Sequence, residues 1–313
     1  VKLGSLCSGF GGLDLAVEAH YGATTVWHAE SDKDCSKVLA HHWPTAPNLG
    51  DITQVEWSDV EPVDVLAAGY PCQPFSIAGN RDPNDDRAIF PFIANAVRVL
   101  RPRLVVLENV PGHLSQGGPS VVASLDSMGF NCSWGVVHAS DALAPHKRAR
   151  WFLVGTNANS GRERYGGQQN AGVVAGLGTQ AEVIDGKVST TRGQFVDRSQ
   201  EVVGTPGDPK WRQFAPAVAI WEQVIGRPAP SPTLDGELSS RFVEWLMGLP
   251  EDHVCGLGLS RTAELKMLGN GVVPQQASLA LRLLDQLAGV TQPGDTRQTP
   301  PLYLDTVQEA ANG

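Results

Sequence analysis

Cys72 stands in the run Gly69-Tyr70-Pro71-Cys72-Gln73-Pro74-Phe75-Ser76, directly after the apolar stretch Val63-Asp64-Val65-Leu66-Ala67-Ala68. Proline fixes φ and removes an amide donor, so a cysteine held between Pro71 and Pro74 at the end of a buried strand sits on a rigid turn. A lone cysteine is most often a small buried apolar side chain. The polar stretch 80–86 that follows does not suit a core, and Cys72 is a candidate nucleophile. Its thiolate would be the reactive form.

Three further groups could do chemistry. Glu108 closes the apolar run 103–107 and precedes Val110-Pro111-Gly112; a carboxylate there is costly if buried and useful if aimed at a site. Reaching solvent or capping a helix is its plainer role. Arg148 and Arg150 occupy alternate positions in the run that leads into an apolar strand, and alternate positions on one strand point to one face and suit a shared anionic target. A solvated sheet edge would look the same. Glu30 follows the strand 24–29, about 20 residues beyond the glycine turn Cys7-Ser8-Gly9-Phe10-Gly11-Gly12, the spacing at which a carboxylate accepts both hydroxyls of a ribose. Asp51, in Gly50-Asp51-Ile52, could accept from an adenine amino group.

The elements that must position these residues alternate. Strands are expected at 2–6, 24–29, 63–68, 103–107, 131–137 and 151–155, with a third strand or turn leading to Gly50. Helices are expected at 13–20, 34–42, 88–100 and 119–128. This is an α/β chain with a doubly wound, mixed but mostly parallel sheet. Strand, glycine turn and helix at the start form a cradle where backbone approaches a ligand. The polar loop 76–86, with Arg87 behind it, is long enough to be a lid. Residues 157–207, rich in Gly, Gln, Asn, Ser and Thr, read as a small loop-rich insert without helix. Helices return at 215–225, 239–247 and 277–287, the last after a turn at 268–276. Residues 291–313 read as a peripheral tail. The expected units are a catalytic and cofactor-binding domain, 1–156, a small recognition region, 157–229, a C-terminal segment returning to the first domain, 230–290, and the tail.

The chain of 313 residues can bury a substantial core. It has no apolar run near the ~20 residues of a membrane span and no basic-then-apolar leader pattern, so a soluble, cytoplasmic protein is expected. Five cysteines with no C-x-x-C pair indicate neither a disulfide framework nor a zinc site, and no metal is expected. The net charge is −9, but the acid lies at the two ends: residues 1–70 carry −7, 71–155 carry +2, 156–212 carry +1 and 213–313 carry −5. A polyanionic substrate is therefore not excluded.

Taken in order, Ser8-Gly9-Phe10-Gly11-Gly12, Glu30, Asp51, Pro71-Cys72-Gln73-Pro74-Phe75-Ser76, Glu108-Asn109-Val110, Arg148-x-Arg150 and Gly269-Asn270-Gly271-Val272 resemble the motif set of the cytosine-5 DNA methyltransferases of compact bacterial or phage type. The resemblance covers 5–155 and 230–287. It implies a Rossmann-like fold that binds S-adenosyl-L-methionine and flips a cytosine out of duplex DNA. It also implies that Cys72 adds to C6 of the base, that Glu108 hydrogen-bonds or protonates N3, and that Asn109 supports that loop. Arg148 and Arg150 would hold the flipped nucleotide and anchor the catalytic loop. Cofactor contacts are implied for Ser8, Gly9, Phe10, Gly11, Gly12, Leu13, Glu30, Asp51, Ile52, Gly69, Pro71, Asn270 and Val272. A monomer is expected, with a cognate restriction endonuclease as the partner such enzymes can have. His146 departs from the glutamine that commonly opens the arginine block, and Ser31 from a bulkier residue after Glu30. An RNA cytosine-5 methyltransferase of the same fold and a catalytically silent DNA-binding regulator are the alternatives.

Overall fold

The computed structural model describes residues 1–71, 89–158, 171–174, 179–184, 187–192 and 209–288. Cys72, the loop 76–86, Arg87, most of the insert and the tail lie outside the described residues.

Seven strands form one sheet in the order β2-β1-β3-β4-β6-β5-β7. They are β1 (Lys2–Leu6), β2 (Thr24–Ala29), β3 (Val65–Gly69), β4 (Leu104–Asn109), β5 (Phe130–His138), β6 (Ala149–Asn157) and β7 (Ala171–Val174). Neighbours from β2 to β4 are parallel. Only β6 runs against its neighbours, β4 and β5, while β7 adds a parallel edge to β5.

The parallel strands are apolar on both faces because helices cover both. Along β4, Leu104 and Val106 join one core while Val105 and Leu107 join the other; β3 alternates likewise with Val65 and Ala67 against Leu66 and Ala68. One core is closed by α3 (Phe90–Leu100) and α5 (Gly118–Ser127), through Ile93, Val97, Val121 and Leu125. The other is closed by α1 (Gly12–Tyr21) and α9 (Pro274–Leu287), the first and last helices, through Leu13, Val17, Ala277 and Leu281. Between α3 and α5 lies the short α4 (His113–Gln116). A third core joins α2 (Lys33–His42) to the C-terminal helices α6 (Ala215–Ile225), α7 (Ser240–Leu246) and α8 (Arg261–Asn270), around Trp221 and Trp245. There Trp221 Nε1 donates to Trp245 O at 2.9 Å.

One alternative left open by the sequence is decided and three expectations are corrected. The stretch before Gly50 makes no strand, only an isolated bridge between His28 and Asn48, so the strand that delivers Pro71 is the third. Residues 268–270 belong to the end of α8 rather than to a turn; Ser260 accepts from Ala263 N at 3.2 Å and caps it. The last helix starts at Pro274, three residues earlier than expected, since proline at a first helical position forgoes a bond that would be missing anyway. In the insert, β7 extends the main sheet, and β8 (Thr179–Ile184) and β9 (Lys187–Arg192) pair as a hairpin.

Among the described residues, no helix is long and apolar enough to cross a membrane.

Candidate active site

Strands β1 to β4 run in the same direction, and their C-terminal ends open onto one cavity. Such an edge is where open α/β sheets place ligands. Of the residues singled out from sequence, Ser8, Gly9, Leu13, Glu30, Asp51 and Ile52 line one side. Gly69, Pro71, Glu108, Asn109 and Arg150 line the other, and Asn270 and Val272 approach from the α8–α9 junction.

At one end of the cavity Glu108 and Arg150 meet. β4 and β6 pair antiparallel with Glu108 opposite Phe152, and the two side chains form an ion pair, Arg150 Nε to Glu108 Oε1, at 2.9 Å. The bond is poorly aimed, leaving Oε1 without a good donor. Burial pushes the Glu108 carboxyl up to about 7, against the pull of Arg150 and Arg148. Desolvation thus outweighs two cations, and the group can hold a proton near neutral pH.

The neighbouring residues are fixed by buried polar bonds. Asn109 Nδ2 donates to Tyr70 O at 3.1 Å and Asn109 Oδ1 accepts from Val110 N at 2.8 Å. Tyr70, which precedes Pro71-Cys72, also shares a 2.8 Å hydrogen bond between its hydroxyl and His113 Nε2. Burial pushes His113 down to about 4, so its ring is neutral. The end of β3 is therefore held from both the main chain and the side chain.

Arg148 does not share the ion pair of Arg150. Its guanidinium donates to Gly271 O, and burial lowers it to about 10. It is also absent from the cavity wall. Of the two arginines, Arg150 lines the cavity, while Arg148 secures the turn after α8 and still acts on Glu108 through its charge. Gln276, missed in the sequence, supports the same corner by donating to Val137 O and Arg148 O at 2.8 and 2.7 Å. His146 bonds Leu246 O through Nε2 at 2.9 Å.

The Phe10 ring lies in the core rather than on the cavity wall. The Phe10 side chain is 1 % exposed and offers no ring face to the cavity. A Cβ on Gly271 would enter the Phe10 ring, and one on Gly12 would meet Val272 O and the same ring. These glycines make room for a core phenylalanine where the α8–α9 junction crosses the first turn.

The opposite end of the cavity is polar. Glu30 accepts from Gly9 N at 2.9 Å and from Asp32 N at 2.7 Å; each oxygen keeps a lone pair for a hydroxyl. Burial raises its carboxyl above the ordinary range, tempered by those bonds. Asp51 accepts from Thr53 N at 2.9 Å and stays exposed. Cys7, also missed, lines the wall, but burial pushes its thiol up to about 12 and makes it a poor nucleophile. A polar end with paired carboxylates, apolar walls at Ile52 and Val272 and a glycine turn fit a nucleoside bearing a charged side chain.

The fold and this cavity define an α/β protein of the Rossmann-like class, with a ligand cavity at the C-terminal edge of its parallel strands. A putative DNA modification methyltransferase encoded in an Escherichia coli prophage has the same fold, with a TM-score of 0.59 over 92% of this chain and 99% of that one, at 17% identity. The family description C-5 cytosine-specific DNA methylase matches residues 1–192, and the chain belongs to that family. It is 26% identical to Type II methyltransferase M.MspI of a Moraxella species over 309 residues, 91% of this chain and 72% of that protein. To Type II methyltransferase M.NgoBI of Neisseria gonorrhoeae it is 34% identical over 160 residues, 49% of this chain and 50% of that protein. The match thus spans half the length of that relative.

Proposed function

We propose that this protein transfers the methyl group of S-adenosyl-L-methionine to C5 of a cytosine in duplex DNA. The observation that carries the reading is the buried Glu108–Arg150 pair beside the end of β3, with the Glu108 carboxyl pushed up to about 7. Cytosine C5 is a weak nucleophile. A thiolate at Cys72 adds to C6, and Glu108 gives or shares its proton at N3, so the ring does not accumulate negative charge. Arg150 orients Glu108 and offers its remaining donors to the base carbonyl or a nearby phosphate. S-adenosyl-L-methionine, when bound, would supply the electrophilic methyl group that the electron-rich C5 needs. Loss of the C5 proton and departure of the thiolate restore the aromatic ring.

Glu30, Asp51 and the Ser8–Gly9 turn are the groups that would hold the cofactor, with Asn270 and Val272 facing them. Because the target atom lies inside the stacked duplex, the base must leave the stack to reach this cavity. We assign recognition of flanking bases to 157–229. The names of the type II relatives favour duplex DNA over RNA as substrate.

The test is transfer of labelled methyl groups to duplex DNA followed by nucleoside analysis. The expected product is 5-methyldeoxycytidine, absent with Cys72→Ala. N6-methyladenine, or label found only in RNA, would contradict the proposal.

A further inference from the structure

Beneath the glycine turn lies a buried polar cluster that the reaction above does not use. Asp14, in the first turn of α1, is 1 % exposed. It lines the cavity, yet neither carboxylate oxygen accepts a well-formed hydrogen bond among the described residues. Its neighbours supply one weak contact at most. The Ser5 hydroxyl lies close enough to temper its acidity and also meets Ser8 Oγ at 2.7 Å. His28, on β2, has Nδ1 3.7 Å from Asp14 Oδ2 and 3.2 Å from Ser8 Oγ. Burial pushes His28 down to about 4, so it brings no charge. The charged groups near Asp14 are carboxylates, Glu18 on α1 and Glu30 at the end of β2, and they repel its anion.

A buried carboxyl that lacks a well-formed hydrogen bond and a cation is costly unless something pairs with it. Its position limits what that something is. Asp14 and Leu13 face the cavity from the N-terminal turn of a ten-residue helix whose cap, Gly11, offers no side chain. Free amides at a helix N-terminus favour an anion, whereas the bare Asp14 carboxyl favours a cation. One ligand group that suits both at once is a zwitterionic α-amino acid.

We propose that Asp14 is the counter-charge for the α-ammonium group of the amino-acid moiety of S-adenosyl-L-methionine. The assignment rests on the cofactor reading above and adds a residue to it. The carboxyl of Asp14, pushed up to about 7 by burial in the unliganded protein, ionises as the ammonium arrives. The ion pair then forms where no water competes.

The test is calorimetric binding of two soluble probes to the full chain. S-adenosylhomocysteine carries the amino-acid moiety; 5′-methylthioadenosine carries the nucleoside and sulfur without it. Asp14→Asn is expected to weaken the first by roughly 10- to 100-fold and to leave the second within about twofold. In the wild type, affinity for S-adenosylhomocysteine is expected to rise between pH 6 and 8 and level off above, with 5′-methylthioadenosine flat throughout. The Asn variant, relieved of an unpaired buried acid, is expected to unfold in urea at pH 8 no earlier than the wild type. Equal losses for both probes, no loss for either, a flat wild-type pH profile, or an earlier unfolding of the variant would overturn the proposal and leave Asp14 a structural residue. If the wild type binds neither probe, the cofactor reading itself fails, and this assignment with it.

Discussion

At the scale of single residues, Glu108 is governed by a contest between burial and charge. Arg150 at 2.9 Å and Arg148 both favour the anion, yet burial leaves the carboxyl near 7. A group that must donate to N3 is active when protonated. The free enzyme should therefore lose kcat/KM as pH rises through about 7, while the need for a thiolate limits the acid side. Arg150→Met removes the nearer cation and should shift the alkaline limb upward, besides lowering the rate. Glu108→Gln, which keeps a donor but cannot pass a proton, should cost about 10²- to 10⁴-fold in methyl transfer with little loss of DNA binding. A wild-type profile flat from pH 6 to 9, or a Gln variant of full activity, would contradict these roles.

At the scale of elements, the site depends on a contact between the two ends of the chain. Phe10 fills space left by Gly12 and Gly271, and Arg148 holds Gly271 O. Gly271→Ala should destabilise the fold by about 1–3 kcal/mol through overpacking. Phe10→Leu in the same chain should recover part of that loss, measured by urea midpoints; no recovery would mean the ring is not the obstacle. This contact marks the limit of sequence reading. Glu108, Arg150 and Glu30 were legible because each sits at the end of, or within, an apolar strand whose period is plain. Phe10 read as a ligand-facing aromatic, since nothing in a glycine turn announces a helix junction some 260 residues away that will cover it. Arg148 and Arg150 share a sequence pattern, but tertiary packing sends them to different partners. Helix α8 escaped notice because few of its residues are buried, Glu264, Met267 and Leu268 among them, leaving too narrow a stripe to show a period.

At the scale of the whole molecule, two sets of buried groups oppose each other with pH. His28, His113 and His253 are each pushed down to about 4 by burial. Below about 6.5 the unfolded chain binds protons there that the fold refuses, so these groups cost stability as pH falls from about 6.5 to about 4. Asp14 and Glu108, pushed up to about 7, act the other way. The fold keeps their protons where the unfolded chain has released them, so their contribution is present at about pH 4 and lost on rising through about 7. The two trends offset over the same window. Removing one carboxyl should expose the histidines: Asp14→Asn should gain stability relative to wild type between pH 5 and pH 7.5, read from urea midpoints at the two values. A relative loss over that interval would mean that Asp14 is ionised and paired in the unliganded fold.

The central claim is that a thiolate at Cys72 attacks a flipped cytosine beside Glu108. It is tested most directly with a duplex carrying 5-fluorocytosine at the methylated position, incubated with S-adenosyl-L-methionine and digested for peptide mapping. Fluorine cannot leave as a proton does, so the enzyme should be trapped on the DNA in a cofactor-dependent adduct that maps to Cys72. An adduct of equal yield with Cys72→Ala, or none at all at a base the wild type demonstrably methylates, would contradict it.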